Sequence, residues 1–347
     1  MGRDISLNKL TTINHFQLHK LGESLDRMIS YDLSGRGNIL YLYDAARKLQ
    51  HYPLTTYCAI ALKKVIKLRS PVLILTGFPS LTWLTEGLSE TDGPVGAAVL
   101  ARVLEEVFGA IPIIITAKQY IPYASACINA AGLVPTDITT ALHSKTSDDN
   151  APVAGIYPFT TDIKIAAEAA KDLISKINPS AVISIELPGP AKDGKSYTFK
   201  GREIPSHLFI HGEALFAAAK SKGILTVGFG DGGNELGMGS LASITAKTIS
   251  KGSLIACVVP ADITLVASVS NWGAYGTSAA ITALEKKPEV LQKLDIERII
   301  RSCVDTGGLD GNTNRPEYSE DRVPMNLSQA EFSLMQFIVK ESTSAWE

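Results

Sequence analysis

The sequence predicts an α/β fold, with a mainly parallel sheet covered by helices and a helical N-terminal segment over residues 1–68. Two observations predict it. Short runs rich in Val, Ile and Leu alternate with longer segments of helical period, as in strands joined through crossover helices. The short runs are apolar at consecutive positions, not alternate ones, as strands buried on both faces are. The 347 residues are enough for one large domain of this type. With no internal repeat, low-complexity tract or linker, residues 1–347 read as a single catalytic domain.

Each element has its own signal. Leu7, Leu10, Leu18, Leu21, Leu25 and Ile29 recur at helical spacing, and "DLSGRGN" (32–38) ends that helix. "ILYLYDAARKL" and "TTYCAIALKKVIKL" continue the helical portion. "PVLILTGF" is compact, apolar and closed by turn residues, so it reads as a buried strand. "GPVGAAVLARVLEEVF" reads as a helix with Pro94 in its first turn, where a missing N–H is tolerated. "IPIIIT" is a strand, and "TDIKIAAEAAKDLISKI" a helix opened by Thr161 or Asp162. "AVISIE", "GILTVGF", "SLIACVV" and "ITLVASV" read as further strands. "HLFIHGEALFAAAKSK", "ELGMGSLASITAKTIS" and "WGAYGTSAAITALEK" supply helices between and after them. Residues 303–326 are turn-rich and read as an irregular loop, and "LSQAEFSLMQFIVKES" closes the chain as a helix.

The totals exclude some functions. A net charge of −2 gives no electrostatic footprint for nucleic acid or an anionic membrane. No apolar run approaches the roughly 20 residues of a membrane span. The N-terminus carries no apolar targeting core, and Cys58, Cys127, Cys257 and Cys303 are scattered among apolar neighbours. A cytoplasmic protein with buried free thiols is expected, its oligomeric state undetermined.

In open parallel sheets, ligands bind beyond the carboxyl ends of the strands. Glu86, Glu90 and Asp92 follow the first strand, and Glu186 follows "AVISI". Asp231, Asn234 and Glu235 follow "ILTVGFG", and Ser270 and Asn271 follow "ITLVASV". If these strands are neighbours, the acids converge, and converging carboxylates must protonate or hold a cation. Oxygen donors suit Mg²⁺ or Mn²⁺, with Ca²⁺ a third hard cation of this kind. Taken singly, each acid has a plainer role. Asp92 could cap a helix, Asp231 could serve a turn, and Glu235 could complement a helix dipole. Recurrence at three strand ends favours the site.

Gly228 to Gly233 satisfies G-x-G-x-x-G, yet no dinucleotide is expected there. Asp231 would repel the pyrophosphate, and no ribose-binding acid stands about 20 residues on. His207 and His211, four apart on an expected helix, read as surface or core residues. Lys192, Lys195, Lys200 and Arg202 form either solvated loop charge or a basic rim facing a carboxylate.

"TGFP", "ETDGPVGA", "DGKSY", "GDGGNELGMG" and "SNWGAYG" together resemble the catalytic C-terminal region of the D-glutamate cyclase family. The match in order and spacing runs from about Gly35-Arg36-Gly37 to the final helix. The resemblance implies an α/β fold and a divalent metal held by acidic residues. It also implies a hydro-lyase that closes D-glutamate to 5-oxo-D-proline and water, and it admits the mitochondrial matrix as a compartment. The chain departs from the family at Leu187 and Pro190, where arginines are usual, and at Thr198, where Asn is expected. That leaves the exact amino-acid substrate open, with Lys192 and Lys200 as compensating cations.

The resulting expectation is specific. Glu90, Asp92, Glu186, Asp231 and Glu235 hold the metal, with Asp231 counted among the catalytic acids. Glu90 or Glu235 moves the ammonium proton. Backbone N–H groups of Gly232, Gly233 and Asn234 form an anion nest, and Asn271 orients the substrate. The alternatives are a metal-dependent hydrolase such as a phosphoesterase, and a catalytically lapsed metal-binding protein.

Overall fold

The structure is a computed structural model that describes residues 15–33, 35, 37–50, 52–144 and 151–344. The expected helix start at Leu7, and Arg36 of the glycine-flanked motif, lie outside the described residues. The chain opens with helices α1 (His15–Ile29), α2 (Ile39–Gln50) and α3 (Leu54–Val65). Alternation then begins, with β1 (Pro71–Leu75), α4 (Pro94–Phe108), β2 (Ile111–Thr116), α5 (Ile121–Ala130), β3 (Val134–Asp137), α6 (Ile138–Ser144) and β4 (Val153–Pro158). It continues through α7 (Ile163–Ile177), β5 (Ala181–Ile185), β6 (Ser196–Tyr197), β7 (Glu203–Ile204), α8 (Gly212–Ser221) and β8 (Leu225–Gly230). Next come α9 (Ala242–Thr248), α10 (Gly252–Ile255), β9 (Ile263–Val266), α11 (Ser270–Leu284), α12 (Pro288–Gln292) and α13 (Ile296–Asp305). The pair β10 (Ser319–Glu320) and β11 (Val323–Pro324) precedes the last helix, α14 (Met325–Ser344).

Seven strands form one sheet in the order β3-β4-β2-β1-β5-β8-β9. Every pairing in it is parallel. Strands β2, β5 and β8 are buried along their whole length, which is why their sequences are continuously apolar. Helix α11 is buried at every residue and packs against α1, α3, α4 and α14. Its small residues allow that approach. A Cβ on Gly276 would lie 2.8 Å from Cγ2 of Ile29 and 2.9 Å from Cγ2 of Thr55.

The structure departs from the sequence reading in four places. "SLIACVV" is no strand, because the backbone after α10 bonds to loops and not to the sheet edge. Cys257 N–H donates to Gly233 C=O and Val258 N–H to Pro190 C=O, both at 2.9 Å. The helix expected from His207 begins only at Gly212, since Phe209 is extended. Residues 303–326 include the end of α13 and the β10–β11 pair, and α14 starts within them at Met325. Residues 117–160, to which the sequence reading assigns no element, contain α5, β3, α6 and β4.

Candidate active site

Strands β1, β5, β8 and β9 are consecutive in the sheet, so the segments that leave their carboxyl ends meet. Glu186, Asp231 and Glu235 each bring a carboxylate oxygen into a group lying within 4.8 Å of one another. Asp92, Asp231 and Asp321 form a second such group. All five acids are buried. All but Asp92 line a cleft of about 250 Å³, together with Glu90 and Asn234.

Local geometry explains how each acid is aimed. Glu186 leaves β5 in the left-handed region, at φ 44°. Gly93 lies beside it at φ 101°, and a Cβ there would sit 2.5 Å from Thr76 Oγ1 and 3.1 Å from Glu186 Cβ. Ser270 Oγ donates to Glu186 Oε2 at 2.6 Å. Asn38 Nδ2 donates to the Asp231 carbonyl at 3.2 Å, holding the turn that carries that acid.

Asp92 is a cap, though not of its own helix. Its oxygens accept from the N–H groups of Ser270 at 2.9 Å and Asn271 at 2.8 Å, at the start of α11. Asn271 returns the arrangement. Its Oδ1 accepts from the N–H groups of Gly93 at 2.8 Å and Gly96 at 2.7 Å, at the start of α4. Its Nδ2 donates to the Thr91 carbonyl and to Glu320 Oε2. Asn271 therefore braces two helices and is not among the residues that line the cleft, where a substrate-orienting role was expected.

The expected anion nest is also filled from within. Gly232 N–H donates to Glu235 Oε1 at 2.7 Å and Gly233 N–H to Glu235 Oε2 at 2.8 Å. Those two donors fix the Glu235 carboxylate and leave a bound anion to other groups. The remaining glycines of the stretch serve close packing, since a Cβ on Gly228 would lie 2.7 Å from Gly237 Cα. The turn leads into α9 only at Ala242.

Electrostatics follow from burial. Desolvation raises the Glu90, Asp92 and Glu186 carboxyls well above the usual carboxylate range, and neighbouring acids add to it. For Glu90 the largest of these neighbours are Asp321 and Asp231, and for Glu186 they are Glu235 and Asp231. A hard divalent cation would relieve this crowding. One further atom fits such an ion. Asn234 is buried, its Nδ2 donates to the Tyr197 carbonyl at 2.9 Å, and its Oδ1 has no hydrogen-bond partner. A buried amide oxygen without a partner, in the same cleft as these three carboxylates, would complete an all-oxygen donor set.

The other expected residues divide. Glu90 lines the cleft without joining either carboxylate group. Lys200 lines it too, whereas Lys192 is exposed and not part of its wall. Leu187 is buried in the core and Pro190 is not part of the cleft lining. Glu86 is exposed and pairs with His207 at 3.1 Å, and His211 is a buried residue preceding α8.

Sequence reasoning missed the contribution of 303–326. Asp310 organises that loop, accepting from Asn312 and Thr313 N–H, Ser319 Oγ and Arg322 N–H. Glu320 accepts from Asn271 Nδ2, Trp272 Nε1 and Tyr275 Oη, which fastens the loop to α11. Asp321, next in sequence, reaches the site at φ 49°. The acids of "LDGNTNRPEYSEDR" were the available signal, but nothing local places them near strand ends.

Two comparisons with known proteins bear on the family of the chain. The family model described as D-glutamate cyclase-like, C-terminal, matches residues 27–334. A human protein described as "D-glutamate cyclase, mitochondrial" is 34% identical over 224 residues. The match covers 61% of this chain and 33% of the human one, so the chain spans about a third of that relative.

Proposed function

We propose a function from one premise: the chain belongs to the D-glutamate cyclase-like C-terminal family. The proposed activity is a metal-dependent hydro-lyase that closes D-glutamate, or a closely related amino acid, to 5-oxo-D-proline with loss of water. The observation that carries it is the buried Glu186–Asp231–Glu235 group beside the unpartnered Asn234 Oδ1. These four residues would hold Mg²⁺ or Mn²⁺. When bound, the ion supplies a Lewis acid that makes a carboxylate a better electrophile.

The chain's own residues do the rest. The amine nitrogen bonds to the side-chain carboxyl carbon, and one carboxyl oxygen leaves. The ammonium loses two protons in all, and the departing oxygen gains two as water. Glu90 is the residue suited to carry a proton between them. It lines the cleft outside both carboxylate groups, and burial with like charges keeps its carboxyl well above the usual range. Glu235, with both oxygens fixed by backbone donors, is better suited to holding the ion than to proton transfer. Ring closure is intramolecular, so the cleft has only to hold the substrate with its amine near its carboxyl carbon. Lys200, at the rim, offsets negative charge on the incoming substrate.

The test supplies purified protein with D-glutamate and Mn²⁺ or Mg²⁺ and measures 5-oxoproline by mass spectrometry. Product with either metal is expected. None with both overturns the proposal, and a phosphoester panel run alongside tests the hydrolase alternative. Asp231→Asn is expected to abolish Mn²⁺ binding in calorimetry, and unchanged binding removes Asp231 from the ion's ligands.

A further inference from the structure

The cleft is charged in opposite senses at its two ends. Its inner wall carries Glu90, Glu186, Asp231, Glu235 and Asp321. The two cationic residues of its lining, Lys200 and Arg202, both come from the turn between β6 and β7. A substrate carboxylate that is not the reacting one is repelled by the acids and must be held elsewhere.

We infer that Arg202, stacked on Trp83 at the cleft mouth, is the specificity-determining residue that anchors the substrate's non-reacting carboxylate. This inference rests on the proposed cyclase reading for the identity of that substrate. The Arg202 guanidinium lies 3.8 Å from the centroid of the Trp83 ring. Both residues line the cleft. A stacked guanidinium uses its face on the ring and keeps its N–H edges for bidentate contact with a carboxylate.

The turn that carries Arg202 is a built feature. Thr198 N–H donates to the Arg202 carbonyl at 2.8 Å, and Arg202 N–H donates to Thr198 Oγ1 at 3.2 Å. Lys195 Nζ and Glu203 Oε2, 2.7 Å apart, pair across the hairpin just outside the turn. The hairpin is tied to the acid site itself, because Asn234 Nδ2 donates to the Tyr197 carbonyl. Trp83 belongs to the loop after β1, the same segment that supplies Glu90 and Asp92. Arg202 is thus fixed between the two segments that present the acids.

The consequence is a fixed direction of binding. The carboxylate on Arg202 faces outward, and the amine and reacting carboxyl face the acids. A substrate without the outer carboxylate loses this contact.

The test uses glutarate, which has two carboxylates and no amine and therefore cannot cyclise. Its binding to the Mn²⁺-loaded full chain is measured by calorimetry, together with steady-state kinetics on D-glutamate. Arg202→Gln is expected to weaken glutarate by about ten- to hundred-fold, the range of a lost charged hydrogen-bonded contact. The KM for D-glutamate should rise by a similar factor, with kcat changed by less than about three-fold. Arg202→Lys should recover part of the loss, and Trp83→Ala should fall between wild type and Arg202→Gln. Thermal unfolding of each variant checks folding. Glutarate binding by Arg202→Gln equal to wild type overturns the inference, as does a wild type that does not bind glutarate. If glutarate binding depends on Arg202 but D-glutamate gives no product, the anchor stands and the cyclase reading falls. If D-glutamate turns over with KM unchanged in Arg202→Gln, the reading stands and the anchor falls.

Discussion

Single residues in this site have divided the work of acids, and their hydrogen bonds reveal the division. Asp92 takes three backbone N–H bonds, from Gly93, Ser270 and Asn271, and Glu235 takes two, from Gly232 and Gly233. Glu90 has one long contact, Ser80 Oγ at 3.4 Å. A fixed carboxylate suits ion binding, and a loosely held one with a raised pKa suits proton transfer. Glu90→Gln is accordingly expected to lower kcat by about 10²- to 10⁴-fold while Mn²⁺ still binds. Loss of Mn²⁺ binding in calorimetry would make Glu90 a ligand instead. Much of this was legible in the sequence, because acids recur after successive apolar runs and the sheet rule brings those ends together. Asn271 was not legible in its true role. An asparagine at a strand end carries no mark of whether its amide faces substrate or, as here, the starts of two helices. Asp321 was missed because only long-range packing by Glu320 brings its loop to the site.

At the scale of elements, helix starts in this protein are satisfied across the fold. Helix α3 has no capping bond from its preceding residue, Pro53. Asp26, on α1, supplies the cap. Its oxygens accept from Leu54 N–H at 2.6 Å, Thr55 N–H at 3.0 Å, Thr55 Oγ1 at 2.6 Å and Tyr43 Oη at 2.8 Å. One buried side chain thereby joins α1, α2 and α3, of which α1 and α3 pack on α11. Asp26→Ala leaves those donors buried without an acceptor, and a loss of about 2–4 kcal/mol of stability is expected in urea unfolding. A loss below about 0.5 kcal/mol would mean that water replaces the carboxylate. The elements themselves were readable where hydrophobic period was strong, as in β1, β2, β5 and β8. Reading failed where an apolar run meets loops in place of a sheet edge, as at residues 253–259. It also failed where a helix-like pattern contains an extended residue, as at Phe209. Such choices are made by which backbone partners the fold offers, and period alone does not encode them.

For the whole molecule, the concentration of acid at one end of the sheet links folding to protons and to metal. Glu90, Asp92 and Glu186 have carboxyls raised in the folded chain, first by desolvation and then by one another and their neighbours. A raised carboxyl means the folded state binds more protons than the unfolded state above the unfolded value of about 4. The contribution of these groups is therefore fully present below about pH 4 and declines as pH rises toward their folded values. Metal-free protein is expected to lose thermal stability as pH rises above about 4, and Glu90→Gln, with one fewer such group, to lose less. A divalent ion competes with those protons, so its binding should tighten as pH rises and release protons into buffer. Calorimetry in two buffers of different ionisation enthalpy measures that release. Metal-free stability that is flat over this range, together with no proton release on Mn²⁺ binding, would place the ion outside the acid cluster. Net proton uptake would contradict the burial argument itself. On this account the acids of the site weaken the fold at neutral pH, and a bound divalent ion would restore what their crowding removes.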